Sequence, residues 1–173
     1  TPNQIDYTYQ SLYQANFPPV RNWMLLTDIN CDGIADLFSS SGTDGITVYT
    51  GQYNANNELT FTLTNNELTS LPDNEKIYVA IYDIPAIVDV DNDGDVDILS
   101  FGPVGGYVYY HQNLSVENGL PCGTLQYDLN THCWGEFYES GITTTVDLEV
   151  GCTEGFVAPP DSPEKDGLHP GST

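Results

Sequence analysis

Two stretches of the chain concentrate oxygen donors at regular spacing. The first runs Asp28-Ile29-Asn30-Cys31-Asp32-Gly33-Ile34-Ala35-Asp36, and the second Asp89-Val90-Asp91-Asn92-Asp93-Gly94-Asp95-Val96-Asp97. Both fit D-x-[DN]-x-D-G-x-x-D. In a tight loop, oxygens at positions one, three and five converge on one point. The glycine at six permits the sharp turn, the carbonyl at seven adds a donor, and the carboxylate at nine closes the shell. The candidate metal ligands are therefore Asp28, Asn30, Asp32, Ile34 and Asp36 in loop one, and Asp89, Asp91, Asp93, Asp95 and Asp97 in loop two. An all-oxygen set of this kind suits Ca²⁺, with six to eight donors at about 2.3–2.6 Å, better than the stricter octahedron of Mg²⁺. About two Ca²⁺ are expected, one per loop.

Electrostatics points the same way. Loop two packs five aspartates into nine residues, and carboxylates so crowded raise one another's pKa or open the loop unless a cation intervenes. Asp, Asn and Gly also favour plain solvated turns, but that reading weakens when two such loops recur in phase. An EF-hand shares the first ligand positions yet needs a bidentate Glu at position twelve and flanking helices. Position twelve is Ser39 in one loop and Ser100 in the other, and strand-like runs flank both. Dockerin-like loops fail for the same lack of an acid.

The elements around the loops read as β-strands. Helical periodicity is almost absent, and short β-branched or aromatic runs alternate with Gly, Asn and Asp clusters. Glu58–Thr64 alternates polar and apolar as a half-buried strand should. Further strands are expected at Trp23–Thr27, Ala35–Ser39, Ile46–Thr50, Ile77–Tyr82, Ala86–Val90, Asp97–Phe101 and Tyr107–His111. A shift of 61 residues superposes Asp28 on Asp89, Asp32 on Asp93, Gly33 on Gly94 and Asp36 on Asp97, then Gly45–Tyr49 on Gly106–Tyr110. One unit of strand, acidic loop, strand, turn and strand is therefore present twice.

Four antiparallel strands recurring at this spacing predict an all-β fold of propeller blades, each a small sheet that stacks on its neighbours. An open β-sandwich with a duplicated hairpin is the alternative. Two blades cannot close a ring, so a fragment of a larger, seven-bladed ring is expected. Residues 1–20 are assigned to an outer strand of a preceding blade or a lead-in, and 21–75 to the first blade. Residues 76–157 form the second blade with a Cys-containing insertion or elaborated outer strand at Leu120–Cys152, and 158–173 a loop leading to a third.

The whole chain of 173 residues holds 25 acidic side chains against three basic ones, a net charge of -22. Nucleic acid and anionic membrane surfaces are poor partners, since both need Lys/Arg clusters, and neither nucleic-acid binding nor direct membrane insertion is expected. No apolar run is long enough for a transmembrane helix. The start, Thr1-Pro2-Asn3-Gln4, is neither an initiator Met nor a signal peptide, which suggests a processed or excised chain. Four cysteines without C-x-x-C spacing fit an extracellular disulfide better than zinc. They permit three complete pairings, among which Cys122 with Cys133, bracketing a short hairpin, is preferred, with Cys31 free.

The loops and their flanks resemble the FG-GAP/VCBS repeat family, the calcium-loop blades also found in integrin α-subunit propellers. Leu25-Leu26-Thr27-Asp28…Asp36-Leu37-Phe38 and Ile87-Val88-Asp89…Asp97-Ile98-Leu99 are similar to that family's strand–loop–strand core. Gly45…Val48-Tyr49 and Gly106…Tyr109-Tyr110 are similar to its third strand. The resemblance covers about half the chain and implies Ca²⁺ bracing the hairpin between a blade's first two strands. Cys133–Ser140 and His169–Thr173 are similar to large Bacteroidetes surface proteins exported by type IX secretion, which implies a secreted or cell-surface setting.

Other chemistry is sparse. His111, His132 and His169 are scattered, and no H-E-x-x-H or G-x-S-x-G motif is present, so no hydrolase is assembled. Tyr107, Tyr109, Tyr110, Trp23 and Trp134 could form a sugar-stacking face, although packing between blades is the commoner use of such residues. Asn113-Leu114-Ser115 fits the N-glycosylation sequon, a match common by chance. The expected role is adhesion, display or scaffolding without catalysis. Its partners would be adjacent blades of the parent and a cell-surface protein or glycan. The alternatives are an accessory glycan-binding propeller of a polysaccharide-degrading enzyme, or part of an enzyme whose site is completed by other blades.

Overall fold

The structure, a computed structural model, describes residues 8–103, 106–141 and 143–151. It is all-β, and its two main sheets are built mostly from antiparallel meanders. The first sheet joins β1 (Met24–Thr27), β2 (Asp36–Ser40), β3 (Ile46–Tyr53) and β4 (Leu59–Asn65) in sequential order. The second begins the same way, with β7 (Ala86–Val88), β8 (Asp97–Phe101), β9 (Val108–Asn113) and β10 (Tyr127–Thr131). It is then extended by a hairpin of β5 (Thr69–Leu71) and β6 (Glu75–Lys76), with β5 parallel to β10. A third, two-stranded sheet pairs β11 (Phe137–Glu139) with β12 (Val146–Leu148).

Strand pairing refines the repeat. Leu37 pairs with Tyr49, whereas its counterpart Ile98 pairs with His111 rather than Tyr110. The 61-residue shift therefore holds through β8 and becomes 62 in β9, correcting the gapless superposition of Gly45–Tyr49 on Gly106–Tyr110. The extra residue lies in the turn, which spans residues 41–45 in the first unit and 102–107 in the second. Val48 thus corresponds to Tyr110, Thr50 to Gln112 and Gly51 to Asn113.

The two sheets share one core. Phe38, Ile46 and Val48 of the first pack in the same cluster as Ile98 and Tyr127 of the second, joined by Leu25 and Ile87. Opposed residues on paired strands lie on one face of a sheet, so the register shows which faces meet. Leu25, Phe38, Ile46 and Val48 share one face of the first sheet. Their counterparts Ala86, Leu99, Val108 and Tyr110 lie on the face of the second sheet that turns away from this core. The sheets therefore meet through non-equivalent faces, head to tail. Ile87 packs at the core while its counterpart Leu26 is 48% exposed.

Ile77–Tyr82, expected as a strand, is an extended connector instead. Ile77, Val79 and Ala80 are buried, but their backbone joins no ladder: Ile77 N–H donates to the Leu68 carbonyl and Val79 N–H to that of Asp44. Its apolar alternation fills the gap between the sheets. The 75/76 boundary drawn from the sequence cuts the β5–β6 hairpin, which pairs with the second sheet. Within residues 8–20 the only regular element is a 3-10 turn at Ser11–Asn16, followed by Phe17 against Phe61 of β4 at 5.0 Å; no strand lies in these described residues. The loop assigned to 158–173 lies outside the described residues. Leu120–Cys152 supplies, over its described part, the fourth strand β10 and the β11–β12 hairpin.

Candidate metal centre

Each acidic loop joins the first two strands of its meander, and the two share a backbone design. The fourth position is left-handed in both, at φ 61° for Cys31 and 65° for Asn92, as is the glycine at position six, at 81° for Gly33 and 106° for Gly94. A Cβ on either glycine would meet nothing within 4 Å, so it is the backbone conformation that calls for glycine there. Gly33 N–H donates to Asp28 Oδ2 at 2.9 Å, and Gly94 N–H to Asp89 Oδ2 at 3.1 Å. Ile34 N–H donates to Asp32 Oδ1 at 2.7 Å, and Asp95 N–H to Asp93 Oδ1 at 3.0 Å.

The position-nine carboxylates are staples as well as candidate ligands. Asp36 and Asp97 are both fully buried. Asp36 accepts Ile29 N–H at 2.9 Å and Gly51 N–H at 2.8 Å; Asp97 accepts Val90 N–H and Asn113 N–H, both at 2.8 Å. One side chain in each unit thus ties the loop to the third strand. Gly51 is fitted to this crossing, since a Cβ there would fall 2.1 Å from the Ala35 carbonyl oxygen.

The loops differ in charge convergence. In loop two, carboxylate oxygens of Asp89, Asp91 and Asp97 lie within 4.8 Å of one another, and so do those of Asp91, Asp93 and Glu117. Asp91 belongs to both groups. These clusters could hold a metal ion. Within the clusters, Asp93 Oδ2 is shielded from water with no hydrogen-bond partner, the condition a cation would relieve. Burial raises the pKa of Asp93, opposed by its hydrogen bond from Asp95 N–H and reinforced by Asp95, Asp91 and Glu117. Burial also raises that of Asp97, against the hydrogen bonds from Asn113 and Val90 and with Asp91 and Asp95 adding to it. The donor set is all oxygen and fits a hard cation.

Loop one shows no such convergence of three acids among the described residues. Asp28, Asn30, Asp32 and Asp36 occupy the expected positions, but Asn30 replaces one carboxylate and its Oδ1 accepts Asp32 N–H at 3.0 Å. Ile34 and Asp95 enter the loops through N–H groups that cap Asp32 and Asp93. The Asp95 carboxylate engages the segment after β9, its Oδ2 accepting the Ser115 hydroxyl at 2.6 Å and Val116 N–H at 3.2 Å.

Several neighbours are not evident from the loops alone. Gln112 Nε2 donates to Asp91 Oδ2 at 2.7 Å and to Glu117 Oε1 at 2.6 Å, and Tyr110 OH to Asp97 Oδ2 at 3.3 Å. Burial and the nearby Asp97 and Asp91 raise the Tyr110 pKa strongly, so it remains a donor. The counterparts of Tyr110, Gln112 and Glu117 in the first unit are Val48, Thr50 and Ala55. The signal for Glu117 was strand register, which carries the segment after β9 back beside loop two.

The disulfide joins Cys31 to Cys122, 91 residues apart. Cys133 is disulfide-bonded as well, and no described cysteine is free. This overturns the preferred Cys122–Cys133 pairing and the free Cys31. The turn at Cys31 points the side chain out of loop one toward the segment around Gly123, where a Cβ would lie 2.9 Å from Asn30 Cβ. A disulfide fits an oxidising, extracellular environment. Among the described residues no helix is long and apolar enough to cross a membrane.

The suggested aromatic face is largely absent: Trp23, Tyr107 and Tyr110 are buried, and Tyr107 packs on Tyr138 at 5.0 Å. The sequon is also internal. Asn113 and Ser115 are each 2% exposed, and Asn113 Oδ1 accepts Ser115 N–H and Gln126 N–H. No protein-family model matches the chain, and no curated protein or solved structure matches it.

Proposed function

We propose that this chain is a calcium-stabilised β-propeller segment of a secreted or cell-surface protein, built from FG-GAP/VCBS-type repeats and serving adhesion, display or scaffolding without catalysis of its own. The observation that carries this reading is the repeated loop. On the first hairpin of two consecutive four-stranded meanders, the same carboxylates cap the same amides, and in loop two the acids converge, with a shielded, unpartnered oxygen on Asp93.

Ca²⁺ is the cation this donor set favours. Loop two is the tighter of two sites, with Asp89, Asp91, Asp93, Asp97 and Glu117 as its ligand pool. Loop one is the weaker, with Asp28, Asn30, Asp32 and Asp36. Head-to-tail packing through non-equivalent faces supports the blade reading, because such a contact can repeat along an array. The outward face of the second sheet retains an apolar groove of about 220 Å³ along Ala86, Leu99, Phe101, Val108 and Trp134, suited to a further blade of the parent.

Calorimetric titration of chelator-stripped protein with Ca²⁺ tests the proposal. Two unequal sites are expected, with the thermal midpoint rising as they fill. An absence of heat and of stabilisation at millimolar Ca²⁺ would overturn it.

A further inference from the structure

We propose that the cavity between the β5–β6 hairpin and strands β9 and β10 is a binding pocket for one neutral sugar ring of a glycan. It encloses about 210 Å³ and shares no residue with either acidic loop. Its failure and that of the calcium reading are therefore separable.

The floor is a buried polar pair. Ser70 and His111 are each 5% exposed, and Ser70 Oγ lies 3.0 Å from His111 Nδ1. His111 lines the cavity, and no described residue hydrogen-bonds its Nε2. Burial lowers the imidazole pKa to about 4, so at neutral pH the floor carries no charge. Among the described residues none uses the imidazole Nε2, which leaves that nitrogen to hydrogen-bond an occupant.

The walls are amphipathic. Tyr78 and Tyr109 stand with Pro72 and Leu129 around the floor, giving ring surface with hydroxyl tips. Burial raises the pKa of both tyrosines, with Asp44 and Asp83 adding to the effect at Tyr78, so both hydroxyls remain donors. Asp73 and Glu75 sit exposed at the rim. Lys76 also borders the cavity, but its ammonium is held by the Thr43 carbonyl at 2.5 Å and by Glu67 at 3.7 Å.

A small, mostly apolar cavity with a few convergent polar groups is the usual form of a ligand site. A pyranose fits this one: its C–H face packs on tyrosine and proline, while its hydroxyls reach His111 Nε2 and the rim carboxylates. Uronic and sialic acids are repelled by the rim and by the net charge of -22. An organic cation would also meet tyrosines and carboxylates. Those carboxylates are exposed, however, where an ion pair contributes little, and the buried floor is neutral.

The test is an NMR titration of the full chain at pH 7, following the His111 imidazole and the Tyr78 and Tyr109 rings. The probes are methyl glycosides of glucose, galactose and mannose, N-acetylglucosamine, glucuronic acid and choline. At least one neutral sugar is expected to shift His111 saturably, with a Kd on the order of 1–10 mM, and glucuronic acid is not. Asp73→Asn and Glu75→Gln, both at exposed positions, should each weaken binding by about twofold to threefold without moving the thermal midpoint. His111 signals unmoved by every neutral sugar at about 100 mM would overturn the proposal. So would saturation by choline alone, or sugar binding indifferent to both rim variants.

Discussion

Loop one and loop two share a backbone yet are held in place differently. Position four is Cys31 in one and Asn92 in the other, both left-handed. In loop one that residue makes the covalent link to Cys122. In loop two its place is taken by a side chain that makes no crosslink, and the surroundings gain Asp95, Glu117, Gln112 and Tyr110. A loop with three carboxylates and an Asn is anchored by a bond; a loop with four converging carboxylates, joined by a fifth from Glu117, could hold a metal ion. The turn geometry and the stapling aspartate belong to the repeat, whereas the means of holding the loop does not.

The largest expected effect tests the covalent half of this contrast. Replacing Cys31 and Cys122 together by Ser removes a link across 91 residues of chain, costing about 4–5 kcal/mol on the chain-entropy account. Urea unfolding with Ca²⁺ present would measure it, and the tighter Ca²⁺ site should be unaffected. A double variant that lost that site while keeping its stability would reverse the assignment of roles.

Next come the two staples. Asp36→Asn and Asp97→Asn each disrupt a pair of buried carboxylate–amide hydrogen bonds, at about 4 kcal/mol apiece. In chelator Asp97→Asn should be the milder of the two, because it also removes repulsion by Asp91 and Asp95. With Ca²⁺ added, Asp97→Asn should also lose most of the metal's stabilisation and Asp36→Asn should keep it, as urea midpoints at fixed Ca²⁺ would show.

Acid should distinguish the sheets too, because His111 of β9 corresponds to Tyr49 of β3. The folded imidazole titrates at about 4, below its ordinary 6.5, because of burial. The unfolded chain then takes up a proton that the folded state refuses. The associated stability is complete above pH 6.5 and is lost as pH falls toward 4, by about 3 kcal/mol in all. His111→Gln should flatten the stability profile in that window. The smallest effect is at Glu117→Gln, which should weaken the tighter site about fivefold to tenfold, as one member of a charged pool. Calorimetry would record no change at the other site.

Much of the fold was legible because its signals are local. Glu58–Thr64 alternates as a strand and is one in β4, and Asp97–Phe101 coincides with β8. The acidic positions of each loop could be read from nine consecutive residues, and so could the turn at each glycine. What escaped depends on distance along the chain. Ile77–Ala80 has the composition of a strand, but its amides bond only to Leu68, just ahead of β5, and to Asp44 in a turn, and form no ladder of their own, which only the packed sheets determine. β5 and β6 are too short to show a period. β10 is recognisable only once β9 is placed beside it. Glu117 is an ordinary exposed acid until the second meander folds it against Asp91. The one-residue difference in the turn before β9 is masked by Gly106 and the run of tyrosines, which align well in the wrong register.

Asp91 is the most direct test, since it belongs to both carboxylate groups of loop two and neither its backbone nor its burial commits it to the fold. Ca²⁺ titration by calorimetry of Asp91→Asn beside Asn30→Ala, its counterpart in loop one, should show the tighter site gone in the first and intact in the second. Retention of that site in Asp91→Asn, or its loss in Asn30→Ala, would contradict the account.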